Sequence, residues 1–155
     1  MGLTAEALAA HQFMYDHTSL DKPLVDFLQR FYTLSDDRDN ADAWAMCFTE
    51  DAMMKKAATN VQGRAAISEV NKNSWNGQAS RKHTVFKAFS SNPGEPDEVM
   101  LHGHSDYVYE DGPTGGMGWA ARLHFTRFPD GDILIDEYHI FPVSIRTVCV
   151  LGMSL

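Results

Sequence analysis

The sequence predicts an α+β fold in which N-terminal helices cover one face of a curved antiparallel sheet. Apolar residues recur at helical spacing through the first half of the chain. Through the second half they alternate with polar residues, and hairpin-type turns divide the alternating runs. Helices followed by a run of linked strands is the pattern of α+β domains.

Each element has its own signal. Ala5, Leu8, Ala9 and Phe13 place a first, extra helix over residues 4–17, with Thr4 as its cap. Pro23 suits a first helical turn, and Leu24, Phe27, Leu28, Phe31 and Leu34 form an apolar stripe behind it. Asp39 or Asn40 caps a helix carrying Ala43, Trp44, Cys47 and Phe48. A short strand is expected over 51–58, then a helix from Arg64 to about Trp75, closed by the Asn76-Gly77 turn. Strands are expected over 82–89, 99–109, 119–128 and 133–143, the last two joined by the tight turn Pro129-Asp130-Gly131-Asp132. Residues 144–155 form an apolar tail. No repeat and no low-complexity stretch interrupts this order.

Composition narrows the function. The 155 residues are one domain's worth, 44% apolar and 22% charged, so disordered and disulfide-scaffold classes are excluded. A formal charge of −8 gives no electrostatic grip on phosphates or anionic lipid, so neither a nucleic acid nor a membrane is an expected partner. Cys47 and Cys149 make no metal pattern and read as reduced thiols. The N-terminus has no basic region and no long apolar run, so the expected compartment is the cytosol. No G-x-G-x-x-G, Walker A or G-x-S-x-G motif occurs, and no cofactor is expected. His102-x-His104 with Glu110 matches a cupin metal site only with the wrong gap and in a helix-rich chain, so no metal is expected either.

The order of Asp39-x-x-Asp42, Phe48-Thr49-Glu50-Asp51-Ala52, Gly63-Arg64-Ala65-Ala66-Ile67 and Phe128-Pro129-Asp130-Gly131-Asp132-Ile133 resembles the nuclear transport factor 2-like superfamily. Its enzymes include SnoaL-like polyketide cyclases, ketosteroid isomerases, limonene epoxide hydrolases and scytalone dehydratase. The resemblance implies a single cone-shaped domain, with the sheet wrapped around the helices and a pocket at the open end.

Alternation sorts the strand side chains into faces. By resemblance to ketosteroid isomerase, His124 falls where that family has an inward acid. By resemblance to limonene epoxide hydrolase, Tyr138 falls where that family has an inward carboxylate. These comparisons turn Arg122, His124, Asp136 and Tyr138 inward. His124 with Asp136 then makes an oriented base, Tyr138 a hydroxyl donor, and Arg122 a paired cation. The faces of 99–109 stay open: one carries His102 and His104, the other Tyr107 and Tyr109. His83 falls where scytalone dehydratase has a pocket histidine, whereas that enzyme's Tyr-Asp pair has only the loop Asp36-Asp37-Arg38 as counterpart. Arg38 lies in the loop expected at the pocket mouth. His11, His17 and His139 read as surface or packing residues.

The expected catalytic set is His124, Asp136, Tyr138, His83, Arg122, Arg38, Tyr109 and His104. The expected walls are Phe27, Phe31, Trp44, Met53, Met54, Phe86 and Ile140. The expected function is a cofactor-independent isomerase, cyclase or dehydratase acting on a hydrophobic, oxygenated small molecule of natural-product type, fungal pathways included. The second reading is a ligand- or partner-binding module without catalysis. On the face opposite the pocket, Trp119, Leu123, Phe125, Ile133, Ile135 and Phe141 would form an apolar patch, which predicts a homodimer through the outer sheet face.

Overall fold

The computed structural model describes residues 20–143. The expected helix over 4–17, His11, His17, the tail 144–155 and Cys149 lie outside them. The elements run α1 (Lys22–Ser35), a 3-10 turn (Arg38–Asn40), α2 (Ala41–Ala45), β1 (Phe48–Lys56), β2 (Thr59–Gln62), α3 (Arg64–Ser74), β3 (Gln78–Ser90), β4 (Glu98–Tyr109), β5 (Thr114–Arg127) and β6 (Ile133–Pro142). One six-stranded sheet has the order β2-β1-β6-β5-β4-β3. No helix among the described residues is long and apolar enough to cross a membrane.

The fold is α+β, with two differences from the expected sheet. It is mixed, because β1 pairs parallel with β6 while every other pair is antiparallel. The strand after α2 is also longer, since Phe48 joins β1 rather than α2, and β2 is an added strand. The glycines of the expected connection 110–116 are partly strand: β5 begins at Thr114.

α1 positions the rest. Its stripe of Leu24, Phe27, Leu28, Phe31 and Tyr32 is buried against the sheet. Phe31 packs edge-on against Tyr138 (ring centroids 5.4 Å apart) and Phe48 (5.8 Å). Each such ring or leucine contributes roughly 1.5–3 kcal/mol by leaving water. Asp21 stands at the N-cap but does not cap the helix. Its carboxylate instead accepts from Arg127 Nη1 (3.0 Å) and Nη2 (2.8 Å), which ties the helix start to the end of β5. At the other end, Arg81 of β3 donates from Nε to the Ser35 carbonyl at 2.8 Å, satisfying a terminal helix acceptor.

The sheet faces overturn two expectations. On β5, Trp119, Ala121, Leu123 and Phe125 are buried in the core, while Arg122 and His124 lie on the outside. The apolar side of an amphipathic strand faces the helices because only there does it leave water. Ile133 and Ile135 of β6 are likewise core. The apolar patch that argued for a dimer is therefore the interior of the molecule; of its members only Phe141 is exposed.

On β6 the alternation breaks. His124 pairs with Glu137 and Phe125 with Ile135, so Asp136 is an extra, bulged residue. Before the bulge Ile133 and Ile135 point in; after it Tyr138 is buried and Ile140 packs against the core. A second bulge, at Phe86, does the same to β3, where Val85 pairs with Gly103 and Lys87 with His102.

A core assignment of Leu123 predicts that Leu123→Ala loses about 2–5 kcal/mol in urea unfolding. The neighbouring outward residue, in Ala120→Ser, should change stability by less than about 0.5 kcal/mol. Equal losses would contradict these faces.

Candidate active site

The pocket opens between the C-terminal half of α1, α3 and the concave face of the sheet. It is lined by Ser35, Trp44, Met54, Lys56, Val70, Asn71, Ser74, Arg81, His83, Ser105, Tyr107, Met117, Trp119, Tyr138 and Ile140. Its empty space is about 560 Å³, mouth included.

Helix α1 ends in a polar hinge against β3. Asp36 follows the last helical residue, and its Oδ2 accepts the backbone N–H of His83 at 2.8 Å. Its Oδ1 lies 2.5 Å from His83 Nδ1, and both side chains are largely buried (17% and 11% exposed). A carboxylate at Nδ1 holds the proton there and leaves Nε2 as the basic nitrogen. The ring is packed by Tyr32 (5.4 Å) and Trp119 (5.8 Å). An oriented, partly desolvated imidazole in a pocket wall has the placement that general-base chemistry requires.

Two tyrosine hydroxyls sit deeper. Those of Tyr32 and Tyr138 lie close enough to act on each other's acidity. Burial raises the pKa of Tyr138 to about 12 and pushes that of Tyr32 well above the usual tyrosine value. Both are therefore neutral donors at physiological pH.

Two cations stand on the wall. Arg81 lies over the Trp75 ring at 4.1 Å and donates to Ser35, Ser74 Oγ (2.6 Å) and Asn71 Oδ1 (3.2 Å). Burial lowers its affinity for its proton, with Asp36 acting in the opposite sense. Lys56, at the end of β1, has its pKa lowered by burial first and by Arg81 second.

Of the expected residues, the structure brings His83, Tyr138, Trp44, Met54 and Ile140 to this pocket. It does not bring the others. His124 and Asp136 do pair, Nδ1 to Oδ1 at 2.6 Å, with Thr126 donating to the same carboxylate at 2.7 Å. They pair on the outer face, because the β5 alternation and the Asp136 bulge turn them away. Arg122 is outside as well, bridging Glu98 and Glu137. Arg38 donates to the Trp75 and Gln78 carbonyls and to Glu110, clasping the loops rather than reaching inward.

β4 turns Ser105 and Tyr107 to the pocket; His104 lies outside beside Asp106, 3.5 Å away. Tyr109 is exposed at the strand end, its ring against Gly115. Phe27 and Phe31 are buried under the sheet but do not line the pocket. Met53 is on the outer face, where β1 alternates, and Phe86 is bulged out onto His102 (5.6 Å). Among the described residues no histidine, cysteine and carboxylate grouping fits a metal ion; His102, His104 and Glu110 do not converge. Cys47 is buried, which lifts its thiol to about 11.

Sequence reasoning missed Tyr32, Lys56, Arg81, Ser105 and Tyr107, and left Asp36 as a loop counterpart only. The signal for Arg81 and His83 was their shared parity on β3; for Lys56 it was its parity with Ala52 and Met54.

No protein family and no curated protein matches this sequence. Solved structures do match its fold. A putative scytalone dehydratase from Novosphingobium aromaticivorans superposes with a TM-score of 0.69 at 13% identity, covering 79% of this chain and 83% of that one. ActVI-ORFA from Streptomyces coelicolor gives 0.65 at 18% identity, covering 79% and 94%. Nuclear transport factor 2 from Cryptosporidium parvum gives 0.61 at 17% identity, covering 76% and 90%. The chain has the nuclear transport factor 2-like fold, the cone-shaped α+β architecture shared by enzymes and by a transport factor.

The buried hydroxyl and thiol predict an alkaline limit to stability. Their pKa values are raised on folding, so the native state holds these protons more tightly than the unfolded chain. Their contribution is complete below the unfolded values. It is lost from about pH 9 to 11 for Cys47 and from about pH 10 to 12 for Tyr138. Each group should steepen the fall by about 1.4 kcal/mol per pH unit within its window. Urea titrations across pH 8–12 should show a shallower fall in Cys47→Ala and in Tyr138→Phe.

Proposed function

We propose that the protein is a cofactor-independent acid–base enzyme that removes a proton from a small, oxygenated, largely apolar substrate. The observation that carries this reading is the His83–Asp36 pair, bonded twice and set in the wall of the concave pocket. His83 Nε2 takes the proton from a carbon next to a carbonyl. The electron pair of that C–H bond forms a carbon–carbon double bond as the C=O π pair moves onto the carbonyl oxygen, which the Tyr138 hydroxyl holds by hydrogen bond. His83 then returns the proton to another carbon, giving isomerisation, or to a departing hydroxide, giving water and a double bond. Cyclisation follows when the same enolate attacks a second carbonyl of the substrate.

The apolar walls from Trp44, Met54, Met117, Trp119 and Ile140 exclude water and suit a substrate of polyketide-like character. The neighbours called scytalone dehydratase and ActVI-ORFA support the fold's fitness for such work. A pure binding module needs no convergence of titratable groups, and here Asp36, His83 and Tyr138 converge.

Two neutral probes read the proton step directly: loss of water from 3-hydroxycyclohexanone, and deuterium uptake at the α-carbon of cyclohexanone in D2O. The wild-type protein should accelerate at least one. His83→Ala and Asp36→Asn should each lower that rate by about 10²–10⁴-fold. His124→Ala should leave it unchanged, with circular dichroism checking the fold of each variant. A wild type inert on both probes, or activity that survives His83→Ala, would overturn the assignment.

A further inference from the structure

The pocket's charge is lopsided. Its lining contains Lys56 and Arg81 and no acidic residue. Among the described residues Lys56 has no hydrogen-bond or ion-pair partner, whereas Arg81 and His83 on the same wall are both bonded. Arg81 makes only hydrogen bonds to neutral acceptors. The nearest carboxylate, Asp36, is committed to His83. Three further donors on the same wall also lack partners: the indole Nε1 of Trp44, that of Trp119, and Ser105 Oγ, all buried. In a chain of net charge −8, a partly buried lysine without a partner is a cost that a bound anion would offset.

We infer that Lys56 is an anion subsite, and that the ligand of this pocket is a one-ring aromatic or cyclic acid whose ionised oxygen Lys56 holds. The inference deepens the reading of this pocket as the reaction site and rests on it for the ligand's role as substrate. Size supports the one-ring limit. The walls leave only about 60 Å³ for the centre of a water-sized sphere. Arg81 adds attraction without a direct bond, since its guanidinium protons are taken by Ser35, Ser74 and Asn71. The indole and hydroxyl donors supply hydrogen bonds to the remaining oxygens.

Benzoate and benzamide differ in charge and hardly in shape, so the pair isolates the subsite. Titration calorimetry of the full-length wild type should show benzoate binding at least tenfold tighter than benzamide. Lys56→Met should abolish the preference, and Lys56→Arg should restore most of it. Benzoate no tighter than benzamide on the wild type would overturn the subsite without needing any variant to fold. A preference that survives Lys56→Met would overturn the assignment to Lys56. None of these results depends on turnover. The neutral cyclohexanone probes report on His83 whether or not an anion subsite exists, so failure of either idea is visible separately.

Discussion

Burial of α1 along its whole length is the constraint from which the other positions follow. The helix presents Leu24, Leu28, Phe31 and Tyr32 to the one sheet formed by the described residues. It is held at both ends by ion and carbonyl contacts: Asp21 to Arg127 at the start, Ser35 and Asp36 to Arg81 and His83 at the finish. Because one helix cannot fill the concave face of six strands, the space beyond its C-terminus stays open. The pocket is that unfilled end, so its polar residues are the ones that terminate the helix.

This gives Arg81 and Asp36 a double character. A carboxylate just past a helix C-terminus is opposed by the negative end of the helix dipole. Asp36 is kept there by the backbone N–H and Nδ1–H of His83, and by attraction to Arg81. The same contacts that dock the helix fix the imidazole's tautomer. Removing Asp36 therefore touches both the docking of the helix and the orientation of the imidazole, whereas His83 Nε2 takes no part in docking the helix.

The helix stripe, the strand order from 78 to 142 and the class of fold were all legible in periodicity. Of the pocket wall, Trp44, Met54 and Ile140 were expected, and its polar members were mostly not. The outward turn of Arg122 and His124 was legible too: Trp119, Ala121, Leu123 and Phe125 alternate with polar residues, and burial free energy places such a face inward. Likeness to one inward acid in another enzyme pointed the other way, and the apolar pattern is the stronger constraint because it sums over four side chains. Asp36 was not legible. Its partner lies 47 residues away and meets it only when α1 docks on β3. Lys56 reads as one half of an exposed Lys-Lys pair until the parity of β1 is fixed by Ala52 and Met54.

The bulge at Asp136 was beyond periodicity, and it separates the two polar networks. Continued alternation from Ile135 would have sent Glu137 and His139 inward and Tyr138 to solvent. Burying that carboxylate beside the core would cost several kcal/mol without a partner. One inserted residue reverses the face instead. Asp136 stays out with His124 and Thr126, Glu137 stays out with Arg122, and Tyr138 enters to meet Tyr32. The outer His-Asp pair and the inner one are thus products of the same geometry. Only the inner pair shares a pocket with a hydroxyl donor and a wall of apolar side chains, which is why the chemistry is assigned to it.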